Sequence, residues 1–149
     1  MEFFETSQII FQLFLAAFLG SLIGLEREIK RKEAGLQAYS LVALGSCLFT
    51  TIALFLGKSD MIDPSSIIMA LAIGMGFIGA GTIFRGKEKI EGLTTSAGLW
   101  ATAAIGLAVG NQFYLLAASA TFLVLIILAG FGLLEEKIFW RKKENVNKE

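Results

Sequence analysis

Three glycines in the middle of the chain have the spacing of a nucleotide-binding loop. Gly74, Gly76 and Gly79 match the Gly-x-Gly-x-x-Gly fingerprint, in which the backbone approaches a pyrophosphate at a helix N-terminus. That chemistry needs a strand before the glycines and an acidic residue about twenty positions after them. Here the glycines lie inside the apolar run 67–84, and positions 96–100 contain no acid. The surroundings therefore argue against a dinucleotide site.

Glycine-rich backbone inside a membrane has two other uses, namely cation coordination by carbonyl oxygens and close packing of helices. Small residues recur every four positions in two stretches, which favours packing. The first ridge comprises Ala72, Gly76 and Ala80, and the second comprises Thr94, Gly98, Thr102, Gly106 and Gly110. We expect the two ridges to face each other, because a short charged turn joins the stretches. The expected packing glycines are Gly20, Gly24, Gly74, Gly76, Gly79, Gly81, Gly98, Gly106 and Gly110.

The composition is that of an integral membrane protein. Hydrophobic residues make up 55% of the 149 positions, and charged residues only 17%. Histidine is absent, which removes the commonest metal ligand and the usual general base. The single cysteine, Cys47, lies in an apolar segment, so no disulfide framework is expected. The sequence thus predicts no catalytic residue, no metal site and no cofactor, and we expect the protein not to be an enzyme.

The apolar pattern predicts an all-α bundle of five transmembrane helices over 1–134 and a basic cytoplasmic tail over 135–149. The helices are expected at about 6–25, 36–56, 64–84, 95–110 and 113–134. Asp63 before Pro64 is a helix start, with the aspartate as an N-cap on the outer side. The charge-dense run 26–33 is expected to lie in water after helix 1.

The basic residues predict the orientation of this bundle. If the N-terminus lies outside, twelve of the thirteen lysines and arginines fall in cytoplasmic segments, and only Lys58 falls outside. Such an asymmetry follows the positive-inside rule. We therefore predict an outer N-terminus and a cytoplasmic C-terminus.

An ordered set of short motifs resembles the MgtC/SapB family of bacterial membrane proteins. The motifs are Gly24-Leu-Glu-Arg-Glu28, Ala34-Gly-Leu36, Gly74-x-Gly-Phe-Ile-Gly-Ala-Gly81, Gly92-Leu-Thr-Thr-Ser-Ala-Gly-Leu-Trp100 and Ala104-Ile-Gly106. The resemblance covers residues from about 15 to about 130. It implies a multi-pass bundle in the bacterial cytoplasmic (inner) membrane, and a regulator linked to magnesium limitation and virulence.

The chain departs from the family pattern at four polar positions. Family members usually have Arg and His where this chain has Gln37 and Tyr39, and Arg and Gln where it has Ser66 and Ala70. Many relatives also carry a soluble C-terminal domain of the ligand-sensing type. Magnesium sensing that depends on that domain is not carried over to this chain.

Five polar residues match family motif positions and are expected at the cytoplasmic ends of helices 1, 3 and 4: Glu26, Arg27, Arg85, Thr94 and Thr95. One interpretation is a functional cluster that contacts a partner protein or a small ligand. The other is that the arginines reach the membrane interface as anchors, that the glutamate is their counter-ion and that the threonines cap helix 4. Both interpretations remain open from the sequence.

Two functions of different classes fit this sequence. The first is a regulator that docks onto another membrane protein, or onto a second copy of itself, through its small-residue ridges. The second is a small oligomeric transporter or channel for an ion or small solute. No charged residue falls inside a predicted span, whereas ion-coupled transporters usually mark their pathway with such residues. The expected partners are the lipid bilayer and a membrane protein, with no nucleic acid.

Overall fold

The computed structural model of the chain describes residues 3–58, 63–86 and 89–131. Within these residues it is almost entirely helical. The α-helices are α1 (Phe3–Ile29), α2 (Leu36–Gly57), α3 (Pro64–Ala80), α4 (Leu93–Gly110) and α5 (Tyr114–Leu125). A π-helical segment, Ile126–Phe131, continues α5, and a hairpin of two antiparallel strands, β1 (Phe84–Arg85) and β2 (Ile90–Glu91), separates α3 from α4.

The all-α prediction is confirmed, and four of the helices are long and apolar enough to cross a membrane. These candidate spans are Thr6–Ile29, Leu36–Gly57, Leu93–Gly110 and Tyr114–Phe131. The third helix, α3, has 17 residues and is shorter. At 1.5 Å per residue it is about 26 Å long, which is slightly less than the hydrocarbon thickness of a bilayer. A fifth span and the orientation of the termini remain predictions.

Two predicted helix boundaries are wrong. The first helix continues past residue 25 to Ile29, so half of the charged run 26–33 is helical rather than a loop in water. The third ends at Ala80 instead of residue 84, where Thr82 donates its hydroxyl to the carbonyl of Gly79 at 2.8 Å and the chain turns into the hairpin. Ser and Thr hydroxyls compete in this way with the helical backbone for its carbonyls. Residues 132–134 and the predicted tail 135–149 lie outside the described residues.

Helix α4 lies at the centre of the bundle, because it is the helix with the most buried residues and contacts all four other α-helices. Its small-residue ridge packs against α2. A Cβ atom added to Gly98 would lie 2.6 Å from the Tyr39 hydroxyl oxygen, and one added to Gly110 would lie 2.9 Å from the Cys47 carbonyl oxygen. The contact points advance in the same direction along both helices, from Tyr39 to Cys47 in α2 and from Gly98 to Gly110 in α4, so the two helices run parallel.

The expected partner of this ridge was α3, and that prediction is wrong. The backbone of α4 approaches α2 so closely at Gly106 that a Cβ atom would overlap the Ala43 carbonyl oxygen. Helix α3 meets α4 mainly near its own end, where Gly79 faces Ser96. A short turn makes α3 and α4 neighbours, but α4 comes closest to α2, because the side chains of α2 that face it are small or flat. Thr94 is exposed and does not belong to the ridge.

Six of the nine predicted packing glycines make close interhelical contacts. Gly20 and Gly24 of α1 face α2, where added Cβ atoms would lie 2.6 Å from the Tyr39 carbonyl oxygen and 2.7 Å from the Leu36 Cα atom. The other three make no such contact among the described residues, so a packing role for them stays a prediction. Gly74 and Gly76 face open space, and the nearest atom to a Cβ at Gly81 is the carbonyl oxygen of its own preceding turn.

Two contacts define the end of the bundle opposite the hairpin. Gln12 is buried in α1 and donates its side-chain amide to the carbonyls of Val109, at 3.1 Å, and Gly110, at 3.3 Å. Asp63 caps α3 as predicted, because its carboxylate accepts a hydrogen bond from the Ser65 backbone N–H at 3.0 Å. The Ser65 hydroxyl also donates to this carboxylate, and together with the backbone bond it holds the pKa of Asp63 below its ordinary value.

Candidate functional site

Charged side chains converge where the connection between α1 and α2 meets the start of α4. We call this region, residues 26–36 together with 79–86 and 89–96, the polar end of the bundle. The last turn of α1 presents its charges here because the helix runs on to Ile29. The connection then turns through Arg31, which has a positive φ of 51°. That left-handed residue allows the chain to reverse within six positions before α2 begins.

Arg27 is buried at the polar end, with an exposed fraction of 3%. Its guanidinium lies 3.4 Å from a Glu26 carboxylate oxygen, and its Nε–H has no hydrogen-bond partner. The other oxygen of Glu26 lies 2.8 Å from the ammonium group of Lys30. A buried charge is tolerated only when it is paired, so this ion-pair row compensates the arginine. The interpretation of Arg27 as an anchor reaching the membrane interface is therefore wrong.

Lys30 also connects α1 to the end of the fifth helix. Its ammonium group donates to the Leu128 carbonyl at 3.0 Å, inside the π-helical segment. A π-helical turn changes the backbone hydrogen-bonding pattern, which leaves carbonyls available to side chains. This contact brings the described end of the fifth helix to the polar end.

Thr95 joins the α1–α2 connection and α2 to the first turn of α4. Its side chain is buried and donates its hydroxyl to the Glu33 carboxylate. The Tyr39 hydroxyl donates to the Thr95 backbone carbonyl at 3.2 Å. The hydrogen bond from Thr95, with a smaller contribution from the positive charge of Lys32, holds the pKa of Glu33 below its ordinary value.

The N-terminus of α2 is capped by a side chain from α1. The Glu28 carboxylate accepts a hydrogen bond from the Leu36 backbone N–H at 3.1 Å, while Gly35 at the N-cap position has no side chain to do so. A Cβ atom on Gly35 would overlap that carboxylate, so a larger residue there would displace the Glu28 side chain from the cap. Glu28, Glu33 and Gln37 line an open depression of about 450 Å³ beside this cap.

The structure brings three of the five predicted site residues into the buried part of the polar end and leaves two outside it. Glu26, Arg27 and Thr95 are buried or nearly so. Arg85 lies on the exposed strand β1, and Thr94 is exposed on α4. The threonines do not cap α4, because Gly92 occupies the N-cap position and no side chain bonds there.

Sequence reasoning missed four residues that hold these elements together. Lys30 and Glu33 were counted only within a charged run, and Tyr39 was noted only as a departure from the family pattern. Gln12 was overlooked, although a polar residue inside an apolar span tends to face the interior of a bundle. That signal was available in the sequence, whereas the partners of Lys30 and Glu33 were not.

The side chains of the polar end connect helices to one another. Among the described residues, no group of three or more acidic or cysteine side chains could hold a metal ion. The free thiol of Cys47 is buried between helices, away from these charges. Ion pairs and hydrogen bonds instead tie α1, α2, α4 and the fifth helix to one another. The site is therefore suited to fixing helix positions.

The family of the chain follows from a comparison with known proteins. The sequence model of the MgtC family matches residues 13–137, which include every element from the middle of α1 to the last described residue. The chain belongs to the MgtC family. It is thus a membrane protein of that family, in agreement with its apolar helices. No solved structure matches the chain.

Three relatives illustrate the extent of the MgtC similarity. "Putative magnesium transporter YhiD" of Escherichia coli K12 is 38% identical over 133 residues, which are 85% of this chain and 61% of YhiD. SapB of Bacillus subtilis is 36% identical over 133 residues, or 85% of this chain and 57% of SapB. MgtC of Brucella abortus is 37% identical over 114 residues, or 76% of this chain and 47% of that protein. The chain therefore spans about half to three fifths of the length of these relatives.

Proposed function

We propose that this MgtC-family protein is a multi-pass regulator of the bacterial inner membrane that docks onto another membrane protein through helix α3. The proposal rests on one observation, which is the exposure of α3. Only Met75 and Gly79 are buried among its 17 residues. The Phe77 side chain is 85% exposed, and Gly74 and Gly76 face open space.

The shape of this surface favours a protein helix over lipid as its neighbour. Lipid chains adapt to any apolar surface, so a lipid-facing helix has no need of glycine. Exposed glycines expose the backbone itself, which a second helix can approach closely, gaining dispersion contacts and weak Cα–H···O bonds. The large side chains Ile73 and Phe77 beside the glycines then offer ridges for the partner's grooves.

Helix α5 provides the contrast within the same molecule. It is equally apolar and exposed, but its exposed positions carry bulky side chains such as Leu115, Leu116 and Phe122. It has no glycine. In its π-helical continuation, a Cβ atom added to Gly130 would lie 4.0 Å from the Ile126 side chain, at ordinary contact distance. Such a surface suits lipid. The difference between α3 and α5 identifies the face on which docking is proposed.

The physiological setting is taken from the relatives. The name of YhiD proposes magnesium transport, and MgtC of Brucella abortus shares its name with the matching family. We therefore place the docking function in magnesium homeostasis and in adaptation to stress, including virulence-related stress. A regulator of this kind would act by changing the behaviour of the membrane protein on α3.

Transport by an oligomer is the second candidate, because the name of YhiD points to it. Outside the polar end, where Arg27 and Thr95 are buried, the buried polar side chains of the described residues are neutral: Gln12, Ser46, Thr50, Thr102 and Thr121. The three threonines donate their hydroxyls to carbonyls of their own helices. Neutral hydroxyls already bonded to the backbone are weak replacements for the hydration shell of a divalent cation, which favours docking over transport.

The test compares glycine variants in cells. Gly74→Leu and Gly76→Leu would fill the docking face, and Gly130→Leu is the control on the fifth helix. Each variant is expressed in a strain that lacks the gene, growth is measured in magnesium-poor medium, and the membrane content of the protein is quantified. We expect the α3 variants to lose complementation at an unchanged protein level while the control complements. Full complementation by both α3 variants would contradict the proposal, and magnesium flux into liposomes holding only this protein would favour transport.

A further inference from the structure

The hairpin between α3 and α4 is a small element with little support from the rest of the protein. Strands β1 and β2 contain two residues each, with Phe84 opposite Glu91 and Arg85 opposite Ile90. The Gly86 N–H bonds to the Lys89 carbonyl at 2.9 Å on the turn side. A two-stranded ribbon is at best marginally stable in water unless something packs on it. Its stability therefore depends on a surface that the hairpin contacts.

Large apolar side chains of the hairpin are exposed. Phe84 is 60% exposed and Ile90 is 55% exposed, and Leu93 at the start of α4 is exposed beside them. Facing residues of a strand pair share one face of the ribbon. Phe84 and Ile90 consequently lie on opposite faces, and each shares its face with a charged residue, Glu91 or Arg85. Neither face is therefore turned to a core, and the whole ribbon is available to an external surface.

The base of the hairpin fixes its depth relative to the membrane. The backbone carbonyl of Thr82 lies so close to Gly92 that a Cβ atom there would overlap it, and Gly92 has a positive φ of 84° that favours glycine. This crossing ties the hairpin to the end of α3 and the start of α4. The candidate span of α4 begins at Leu93, directly after the hairpin, so a membrane crossed by α4 would hold the ribbon at the level where the hydrocarbon ends and the lipid headgroups begin.

The charges of the hairpin fit this level. Arg85 and Lys89 are exposed on the ribbon beside Glu91, the one acid among the described residues of the hairpin. Arg31 and Lys32 are exposed on the neighbouring connection at the same end of the bundle, beside Glu33, whose carboxylate is bonded by Thr95. The exposed basic residues of this end thus outnumber these acids. Aromatic and aliphatic side chains beside lysine and arginine are the composition of a membrane interface, where the cations meet lipid phosphates. We infer that the hairpin rests on the anionic phospholipid surface, with Phe84 and Ile90 among the headgroups and Arg85 and Lys89 against phosphates.

Tryptophan fluorescence tests this inference at two independent positions. The native tryptophans Trp100 and Trp140 are replaced by phenylalanine, and Phe84→Trp or Ile90→Trp is introduced in that background. Each protein is reconstituted into phosphatidylglycerol–phosphatidylcholine vesicles that contain lipids brominated either near the ester groups or near the methyl ends. We expect stronger quenching by the shallow bromines at one or both positions. Adding R85Q and K89Q should reduce this quenching to the level seen in phosphatidylcholine alone.

Two controls make the result decisive. Ile73→Trp, at a 71% exposed position in the middle of α3, should be quenched more by the deep bromines, which confirms correct insertion. Protein secondary structure by circular dichroism checks that each variant is folded. If tryptophans at both 84 and 90 escape quenching at either depth while an aqueous quencher reaches them, the hairpin lies in water and the inference is wrong. Shielding from both lipid and aqueous quenchers, seen only in native membranes, would indicate a protein partner and would also overturn it.

Discussion

The Cα atom of Gly106 in α4 faces the backbone carbonyl oxygen of Ala43 in α2, with no room for a Cβ atom between them. This contact is the tightest point of the seam between the two helices. We expect Gly106→Leu to lower the free energy of unfolding by about 3 kcal/mol, because the helices must separate and lose their dispersion contacts. Thermal unfolding in detergent measures the effect.

The control for this variant is Gly130→Leu in the π-helical segment, where Ile126 is the one described residue that an added Cβ atom would approach within 4.0 Å. It should unfold close to the temperature of the parent protein. Equal unfolding temperatures for Gly106→Leu and Gly130→Leu would show that the α2–α4 seam does not hold the bundle together.

A second prediction concerns pH and the bond between Thr95 and Glu33. The pKa of Glu33 is below its ordinary value of 4.5 in the folded protein, so the unfolded chain binds the proton more readily. The stabilisation from this carboxylate is complete above pH 4.5 and is lost as the pH falls from there through the lowered folded pKa. Thr95→Val removes the hydrogen bond to Glu33, so it should lower the free energy of unfolding by about 1 kcal/mol above pH 4.5 and by less at lower pH.

Unfolding temperatures of the parent protein, Thr95→Val and Glu33→Gln, measured from neutral pH to below 4.5, check this prediction. Both variants should show a shallower loss of stability on acidification than the parent. Three parallel pH profiles would mean that the Thr95–Glu33 bond does not stabilise the fold.

The two arginines of the predicted site should behave differently. Arg27 is buried beside Glu26, so Arg27→Gln should lower the free energy of unfolding by about 3 kcal/mol. This is near the lower end of the effect of breaking a buried ion pair, because Lys30 still pairs with Glu26. Arg85 is exposed, so Arg85→Gln should leave stability unchanged. Membrane protein levels and unfolding in detergent give both values. The reverse order of effects would mean that the arginine environments are assigned wrongly.

Orientation is tested by reporter fusions. The distribution of basic residues predicts that a reporter after Glu149 is active only in the cytoplasm, and that one inserted between Lys58 and Asp63 is active only outside. Cytoplasmic activity from the inserted reporter would reverse the predicted topology. The parallel arrangement of α2 and α4 would remain, because it rests on helix contacts alone.

The sequence predicted the helices and the existence of the α4 ridge because apolar runs and small-residue spacing are local signals. It could not identify α2 as the partner of that ridge. Two ridges separated by a short turn look like natural neighbours, yet the choice depends on which facing surface allows the backbones to approach. The contact of Gly98 with the Tyr39 ring edge and hydroxyl is a three-dimensional fit that spacing does not encode.

The candidate site was predicted in part for a similar reason. A charged residue at a helix end normally faces water, so the burial of Arg27 had no local signal. The charge of Arg27 is balanced by Glu26, which also pairs with Lys30. The ammonium group of Lys30 in turn donates to the Leu128 carbonyl, 98 positions away in the sequence. Thr95 was identified from its motif, but its bond to Glu33 depends on how the α1–α2 connection folds over α4.

The docking role of α3 is the central claim, and site-specific photocrosslinking tests it most directly. A photoreactive amino acid is placed at Phe77 of α3 or at Leu115 of α5, which have matched exposures of 85% and 83%. After irradiation of native membranes, adducts are separated by mass and identified by mass spectrometry. If α3 docks onto a membrane protein, position 77 should yield one defined adduct with that protein, whereas position 115 should yield only lipid adducts. Lipid adducts alone from both positions would contradict it.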